Sequence, residues 1–243
     1  MELARDPRAN GVVYAALVFG ALLAELNGWR TLTYLLRPAM LIHLSVWFYF
    51  SSRRYGNRFT LLVQAGLFFS LLGDIALMFQ HKDPFNFILG LAAMLLACIC
   101  YTIAFAQNVA EVGDLEGLWI SVLIGVIFLA FGFFFVFDLV RYLDDFLMVP
   151  VIAFMVGPIL LGAAAGARFK RTYPLSFWST MIGACCLMAF ASLLAWTRFV
   201  RPFERADLLI LFLYAAGQFL IAFGSLVHVL DPDQIRRRKA LAA

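Results

Sequence analysis

Eight long apolar runs, separated by short charged or proline-containing segments, set the architecture of this chain. An α-helix needs about 20 mostly apolar residues to cross a bilayer, and only helices or closed barrels satisfy their backbone groups in lipid. The runs lie at about 11–28, 32–51, 60–79, 84–107, 117–138, 147–166, 174–199 and 206–230. Because these runs leave only short connections, we expect a single all-α membrane domain over residues 1–243, a polytopic transmembrane bundle of eight helices.

Composition and charge agree with a membrane protein. Hydrophobic residues make up 64% of the chain and charged residues 14%, with a mean hydropathy of +0.90, which is outside the range of soluble domains. Basic residues collect at the ends of the runs, so the net charge of +4 indicates membrane orientation and not nucleic-acid binding. A cytoplasmic N-terminus places twelve basic residues inside and six outside. We therefore expect both termini in the cytoplasm, a bacterial inner membrane as the location, and membrane lipids as partners.

A faint internal repeat suggests two four-helix halves. Shifting the chain by 118 residues lays Asp74 on Ser192 and Pro84-Phe85 on Pro202-Phe203. Two halves in parallel orientation would produce this pattern. Asp74 and Ser192 would then lie at similar depth in the membrane.

Asp74 lies in the middle of the third apolar run. A charged side chain in hydrocarbon costs roughly 2.5 to 3.5 kcal/mol on insertion scales, so its default interpretation is functional. The alternative is a protonated carboxyl that bonds to a neighbouring helix. Ser70 and Gly73 are small residues that would let a helix or a ligand approach closely.

Glu25 and Arg37 fall at the same predicted depth as Asp74 and Ser192. In one interpretation Glu25 and Arg37 form an interface ion pair, or Arg37 extends to the headgroups. In the other, Arg37 faces inward, reduces the cost of an ionised Asp74 and binds a phosphate. Both interpretations remain open.

Other polar residues inside the runs are Tyr101, Tyr214 and Gln218. They could line the same cavity or form hydrogen bonds between helices. The three histidines are scattered in depth, and metal or haem binding needs convergent ligands. We therefore expect no metal and no cofactor.

The segment from Gly66 to Met78 reads GLFFSLLGDIALM and resembles the signature of the YhhN-type lysoplasmalogenase family. Further matches keep the family's order along nearly the whole chain: Arg37-Pro38, Phe87, Gly90-Leu91, Tyr101, Pro150-Val151, Gly183-Ala184, Tyr214 and Gln218. The resemblance implies an eight-span membrane protein. It also implies hydrolysis of the vinyl ether bond of lysoplasmalogens, which releases a fatty aldehyde and a glycerophospho-headgroup.

The resemblance further implies roles for individual residues. Asp74 would act as acid/base, and Arg37 would hold the phosphate of a lysophospholipid or ether lipid. From their places in the runs, we expect the other substrate-binding positions to be Ser70, Cys98, Tyr101, Tyr214 and Gln218.

The chain departs from the family at two reactive positions. Ala191-Ser192 stands where the family usually has a Ser-Asp pair, and Ala97-Cys98 stands where it usually has an Ala-His pair. A serine is not a general acid at neutral pH, so we expect Glu25, or a water held by Ser192, to complete the catalytic pair.

Three functions remain open at this point. The first is a lysoplasmalogenase-like hydrolase. The second is a catalytically silent relative that binds a lysolipid as carrier, sensor or scaffold. The third is a small-solute transporter, whose half-repeats would contain broken helices; Pro150 and Pro158 are its one hint.

Overall fold

The structure, a computed structural model, describes residues 6–81, 83–112 and 117–230, and within these ranges it contains eight α-helices and no strand. The helices are α1 (Pro7–Leu26), α2 (Arg30–Ser52), α3 (Arg58–Met78), α4 (Pro84–Val112), α5 (Leu118–Leu139), α6 (Asp145–Ala167), α7 (Pro174–Phe199) and α8 (Ala206–Val229). The predicted all-α class and the count of eight helices are confirmed.

Seven of the described helices are long and apolar enough to cross a membrane, so the chain is an integral membrane protein. The helix outside this set is α2, which has sufficient length at 23 residues but carries Arg30, Arg37 and His43. Its crossing remains a prediction. The basic tail that contributed to the predicted orientation lies outside the described residues.

The helices close into a ring in the order α1, α2, α3, α4, α6, α7 and α8. The remaining helix, α5, packs on the outside against α6 and leaves most of its apolar surface exposed. Large buried side chains, including Trp47, Tyr101 and Tyr214, fill the ring. The centre of the bundle is therefore a packed core.

Glycines bring α3 against α4 and α7 against α8. A Cβ at Gly73 would lie 3.1 Å from the carbonyl oxygen of Gly90, and one at Gly183 would lie 3.1 Å from that of Gly217. Such close backbone approach is the usual role of small residues between membrane helices. Gly183 lies 110 residues after Gly73, not 118, so these contacts do not repeat with the predicted shift. The two-halves arrangement remains a prediction.

Arg168 ties the helices together at one end of the bundle, directly after α6. Its guanidinium is fully buried and donates to Asn108 Oδ1 at 2.8 Å, Thr180 Oγ1 at 2.8 Å and Ser176 Oγ at 2.9 Å. It also lies 4.6 Å from the centre of the Phe105 ring. Burial lowers the pKa of this guanidinium to about 9, so it is still charged at neutral pH. A buried charge held by neutral oxygens thus joins the ends of α4, α6 and α7.

Candidate functional site

An ion pair between α2 and α3 lies near the other end of the bundle. Arg37 Nη2 donates to Asp74 Oδ1 at 2.9 Å. Asp74 is fully buried, and the Arg37 side chain is 19% exposed. Arg37 therefore faces inward, as in the second of the two predicted interpretations. The hydrogen bond between the charges offsets part of the cost of burying them.

Each partner of this ion pair keeps one atom unused. Asp74 Oδ2 and Arg37 Nε are buried and have no hydrogen-bond partner among the described residues. Buried polar atoms in proteins are nearly always satisfied by protein or water. The ion pair therefore offers one acceptor and one donor to a water or to a ligand.

A polar cleft of 570 Å³ opens beside the ion pair, at the meeting point of α1, α2, α3 and α8. This volume lies within the range of small-molecule sites, roughly 300–1,000 Å³. Its lining residues are Glu25, Gly28, Arg30, Thr33, Tyr34, Arg37, Leu77, Met78, Gln80, His81 and Asp207. Since Arg37 belongs to both the cleft and the ion pair, a molecule in the cleft meets the guanidinium first. Asp74 lies about one turn deeper on α3.

The cleft contains two of the predicted residues, Glu25 and Arg37, and two carboxylates in total. Glu25, from α1, and Arg37, from α2, line the same cleft. The second carboxylate, Asp207, was missed from the sequence because it follows the loop charges Glu204 and Arg205 and resembles one of them. Its position in the first turn of α8, at the same end as Glu25, was the available signal.

Ser192 is not among the residues that line the cleft. It is buried on α7, and its hydroxyl has no hydrogen-bond partner among the described residues. Cys98 is also buried away from the cleft, on α4. The two positions at which the chain departs from the family are therefore outside the cleft, and their predicted roles remain predictions.

Four other predicted residues meet in one hydrogen-bond network, one turn below Asp74. Tyr214 donates to the backbone oxygen of Ser70 at 2.8 Å. Gln218 donates to the hydroxyl of the same serine at 2.9 Å. Tyr101 donates to Gln218 Oε1 at 2.8 Å. These buried bonds join α3, α4 and α8 and hold in place the turn of α3 that precedes Asp74. Binding of substrate by these residues remains a prediction.

A small cavity adjoins the network and is also lined by Cys98 and Phe154. At about 10 Å³ it has room for about one water and for no lipid chain. Within the described ranges no three His, Cys, Asp or Glu side chains come together as metal ligands would.

Gly66 makes room for one member of the network, because a Cβ there would overlap the ring of Tyr101. We expect Gly66→Ala to displace this ring, break its bond to Gln218 and destabilise the protein by about 1–3 kcal/mol. Thermal unfolding in detergent measures the loss. Gly11→Ala is the matched control, since its Cβ would meet Phe219 at an ordinary 3.8 Å. Equal unfolding temperatures for both variants would contradict the expectation.

The comparison with protein families gives a match over most of the chain. The model of the YhhN family matches residues 32–225, a range that includes Arg37, Asp74 and the whole hydrogen-bond network. No curated protein and no solved structure matches the chain. The match confirms the family expected from the sequence signature around Asp74. This chain is a member of the YhhN family.

Proposed function

We propose that this protein is an integral-membrane hydrolase that cleaves the vinyl ether bond of single-tailed ether phospholipids and releases a fatty aldehyde. One observation carries the proposal: a polar cleft is lined by Arg37, which forms an ion pair with the buried Asp74, and both partners keep an unused polar atom. Membership of the YhhN family, which the sequence signature associates with lysoplasmalogenases, supports the reaction class.

The depth of the ion pair suits such a lipid. Asp74 precedes the last residue of α3, Met78, by four positions, which is about 6 Å along a helix axis. The vinyl ether of a lysoplasmalogen lies just below its phosphate headgroup. A headgroup in the cleft, with its phosphate on Arg37, would place that bond near Asp74.

The chemistry needs a proton donor and an anionic group. A proton adds to the vinyl carbon that does not carry oxygen, and an oxocarbenium ion forms. Water then adds to the carbon bonded to oxygen, and the resulting hemiacetal expels the headgroup hydroxyl to leave the aldehyde. Asp74 Oδ2 would stabilise the cation and take the proton from water, and Glu25 would supply the first proton.

The discriminating experiment compares two lipids. Purified protein is incubated with a lysoplasmalogen and with its saturated alkyl-ether counterpart, and products are identified by mass spectrometry. We expect fatty aldehyde from the first lipid and no product from the second. Cleavage of both lipids, or of an ester lysolipid instead, would contradict the proposal.

We expect Glu25→Gln to lower kcat by about a hundredfold, which is typical of a lost general acid, with a smaller change in KM. Asp207→Asn removes the other carboxylate from the same cleft and is the matched comparison, and we expect it to change mainly KM because the proposed mechanism gives Asp207 no proton to transfer. Initial rates of aldehyde release over a range of lipid concentrations separate the two constants. A normal kcat for Glu25→Gln would remove it from the mechanism.

A second candidate is a silent relative that binds a lysolipid without cleaving it. The observation in its favour is that Ser192 and Cys98 replace the family's usual aspartate and histidine. It predicts that a lysolipid raises the unfolding temperature while no aldehyde forms. The double variant with Ser192→Asp and Cys98→His would then gain activity.

A further inference from the structure

Another large cavity lies between α2 and α3 at the opposite end from the cleft, and we name it the basic groove. Its volume is 770 Å³, and its lining residues are Ser45, Tyr49, Ser52, Arg53, Gly56, Asn57, Thr60, Leu61, Gln64, Ala65 and Phe68. No acidic residue occurs among the described residues that line it. The proposed hydrolase reaction leaves this groove without a role.

Positive charge surrounds the mouth of the basic groove. Arg53 belongs to its lining, and Arg54 and Arg58 are exposed beside it. Within the described part of the chain, none of the three forms an ion pair with a carboxylate. Such cations next to a membrane attract anionic lipid, each with about 1 kcal/mol.

Inside the mouth, the groove has apolar walls and a pair of hydrogen-bonded polar side chains between α2 and α3. The walls include Tyr49, Leu61 and Phe68, which are 52%, 68% and 53% exposed. Deeper in the groove the Gln64 amide donates to the hydroxyl of Ser45, and its own oxygen is buried without a partner among the described residues. Gln64 lies six residues after the start of α3, about 9 Å along the helix.

We propose that the basic groove binds one anionic glycerophospholipid, with its phosphate at Arg53, its glycerol near Gln64 and an acyl chain along Phe68. The order along α3 suits such a lipid: arginines lie at the mouth, Gln64 lies about 9 Å along the helix, and the exposed ring of Phe68 lies four residues further. The Gln64 amide oxygen, which has no hydrogen-bond partner among the described residues, lies at the level of the glycerol oxygens and can accept a hydrogen bond there. Because a zwitterionic lipid has no net charge, the three arginines favour the anionic one.

Native mass spectrometry of the full chain, released from nanodiscs with equal amounts of phosphatidylglycerol and phosphatidylethanolamine of identical chains, tests this site. We expect one retained phosphatidylglycerol per chain. Removal of two cations in the double variant R53Q/R58Q is expected to weaken this binding about 30-fold. The matched control R201Q/R205Q removes two arginines at the cleft end and is expected to retain the lipid.

A second variant tests the cavity without a change in charge. Ala65→Phe fills the basic groove and is expected to abolish retention of phosphatidylglycerol, and the unfolding temperature confirms that the variant is folded. Equal retention of both lipids by the unsubstituted protein would overturn the proposal. So would normal retention in R53Q/R58Q or in Ala65→Phe, and so would equal losses in R53Q/R58Q and R201Q/R205Q. None of these outcomes depends on vinyl ether cleavage.

Discussion

Asp74→Asn is expected to lower the rate of aldehyde release by about 10² to 10⁴, the usual contribution of an acid/base group. The amide keeps the shape of the side chain but carries no charge with which to stabilise an oxocarbenium ion. It also leaves Arg37 as a cation without its buried anion. We expect the loss to appear in kcat, measured on purified protein with saturating lysoplasmalogen.

The control for this prediction is Asp138→Asn. Asp138 pairs with Arg141 at 3.8 Å, and its side chain is 49% exposed, so this ion pair contributes little. A wild-type rate is expected there. The unfolding temperatures of both variants separate a lost reaction from a lost fold. If folded Asp74→Asn retains most of the wild-type rate, Asp74 is not at the reaction centre.

Arg168→Met is expected to produce the largest loss of stability among the substitutions considered. Methionine fills part of the volume but donates no hydrogen bond, so the acceptors on Asn108, Thr180 and Ser176 are left without this donor. The Ser176 and Thr180 hydroxyls keep their bonds to backbone oxygens, but Asn108 Oδ1 is left unpaired in the core, at about 1–3 kcal/mol, and three bonds from a charged donor are lost, so we expect a total loss of several kcal/mol. Chemical or thermal unfolding in detergent measures it.

Two comparisons make this second prediction specific. Arg141→Met removes an exposed arginine, 64% exposed, and is expected to leave stability nearly unchanged. Because Arg168 lies at the opposite end of the bundle from the cleft, the folded fraction of Arg168→Met should keep a normal kcat. An unchanged unfolding temperature would show that the buried guanidinium is not needed to hold α4, α6 and α7 together.

The fold followed from the sequence because the apolar runs are long and the connections are short. Membrane helices must satisfy their own backbone groups, so each run translates directly into a helix. The position of α5 outside the ring was not predictable, because hydropathy does not distinguish a lipid-facing helix from one that faces other helices. Lipid tails and the apolar core of the bundle offer α5 similar surroundings. Its place is therefore decided by how its side chains pack against the other helices.

Prediction of the candidate site was less complete. The depth of Arg37 and Asp74 in the membrane could be predicted from their positions in the apolar runs. Whether the Arg37 side chain turns toward Glu25 or toward Asp74 depends on the rotation of α2 about its axis. In the sequence Arg168 resembles the other basic residues at the ends of the apolar runs, because its buried acceptor Asn108 lies 60 residues away on α4. Asp207 was missed because it resembles the neighbouring loop charges, although its position in the first turn of α8 puts it at the same end of the bundle as Glu25.

The most direct test of the proposed reaction centre is the cleavage of a lysoplasmalogen in D₂O. The aldehyde is reduced at once with borohydride, and the deuterium content of the resulting alcohol is measured by mass spectrometry. Protonation of the vinyl carbon predicts one deuterium on the carbon next to the former carbonyl, in an amount that falls with the rate in Asp74→Asn. Absence of aldehyde from the folded protein, or an aldehyde without deuterium, would contradict acid-catalysed hydrolysis at the Arg37–Asp74 pair.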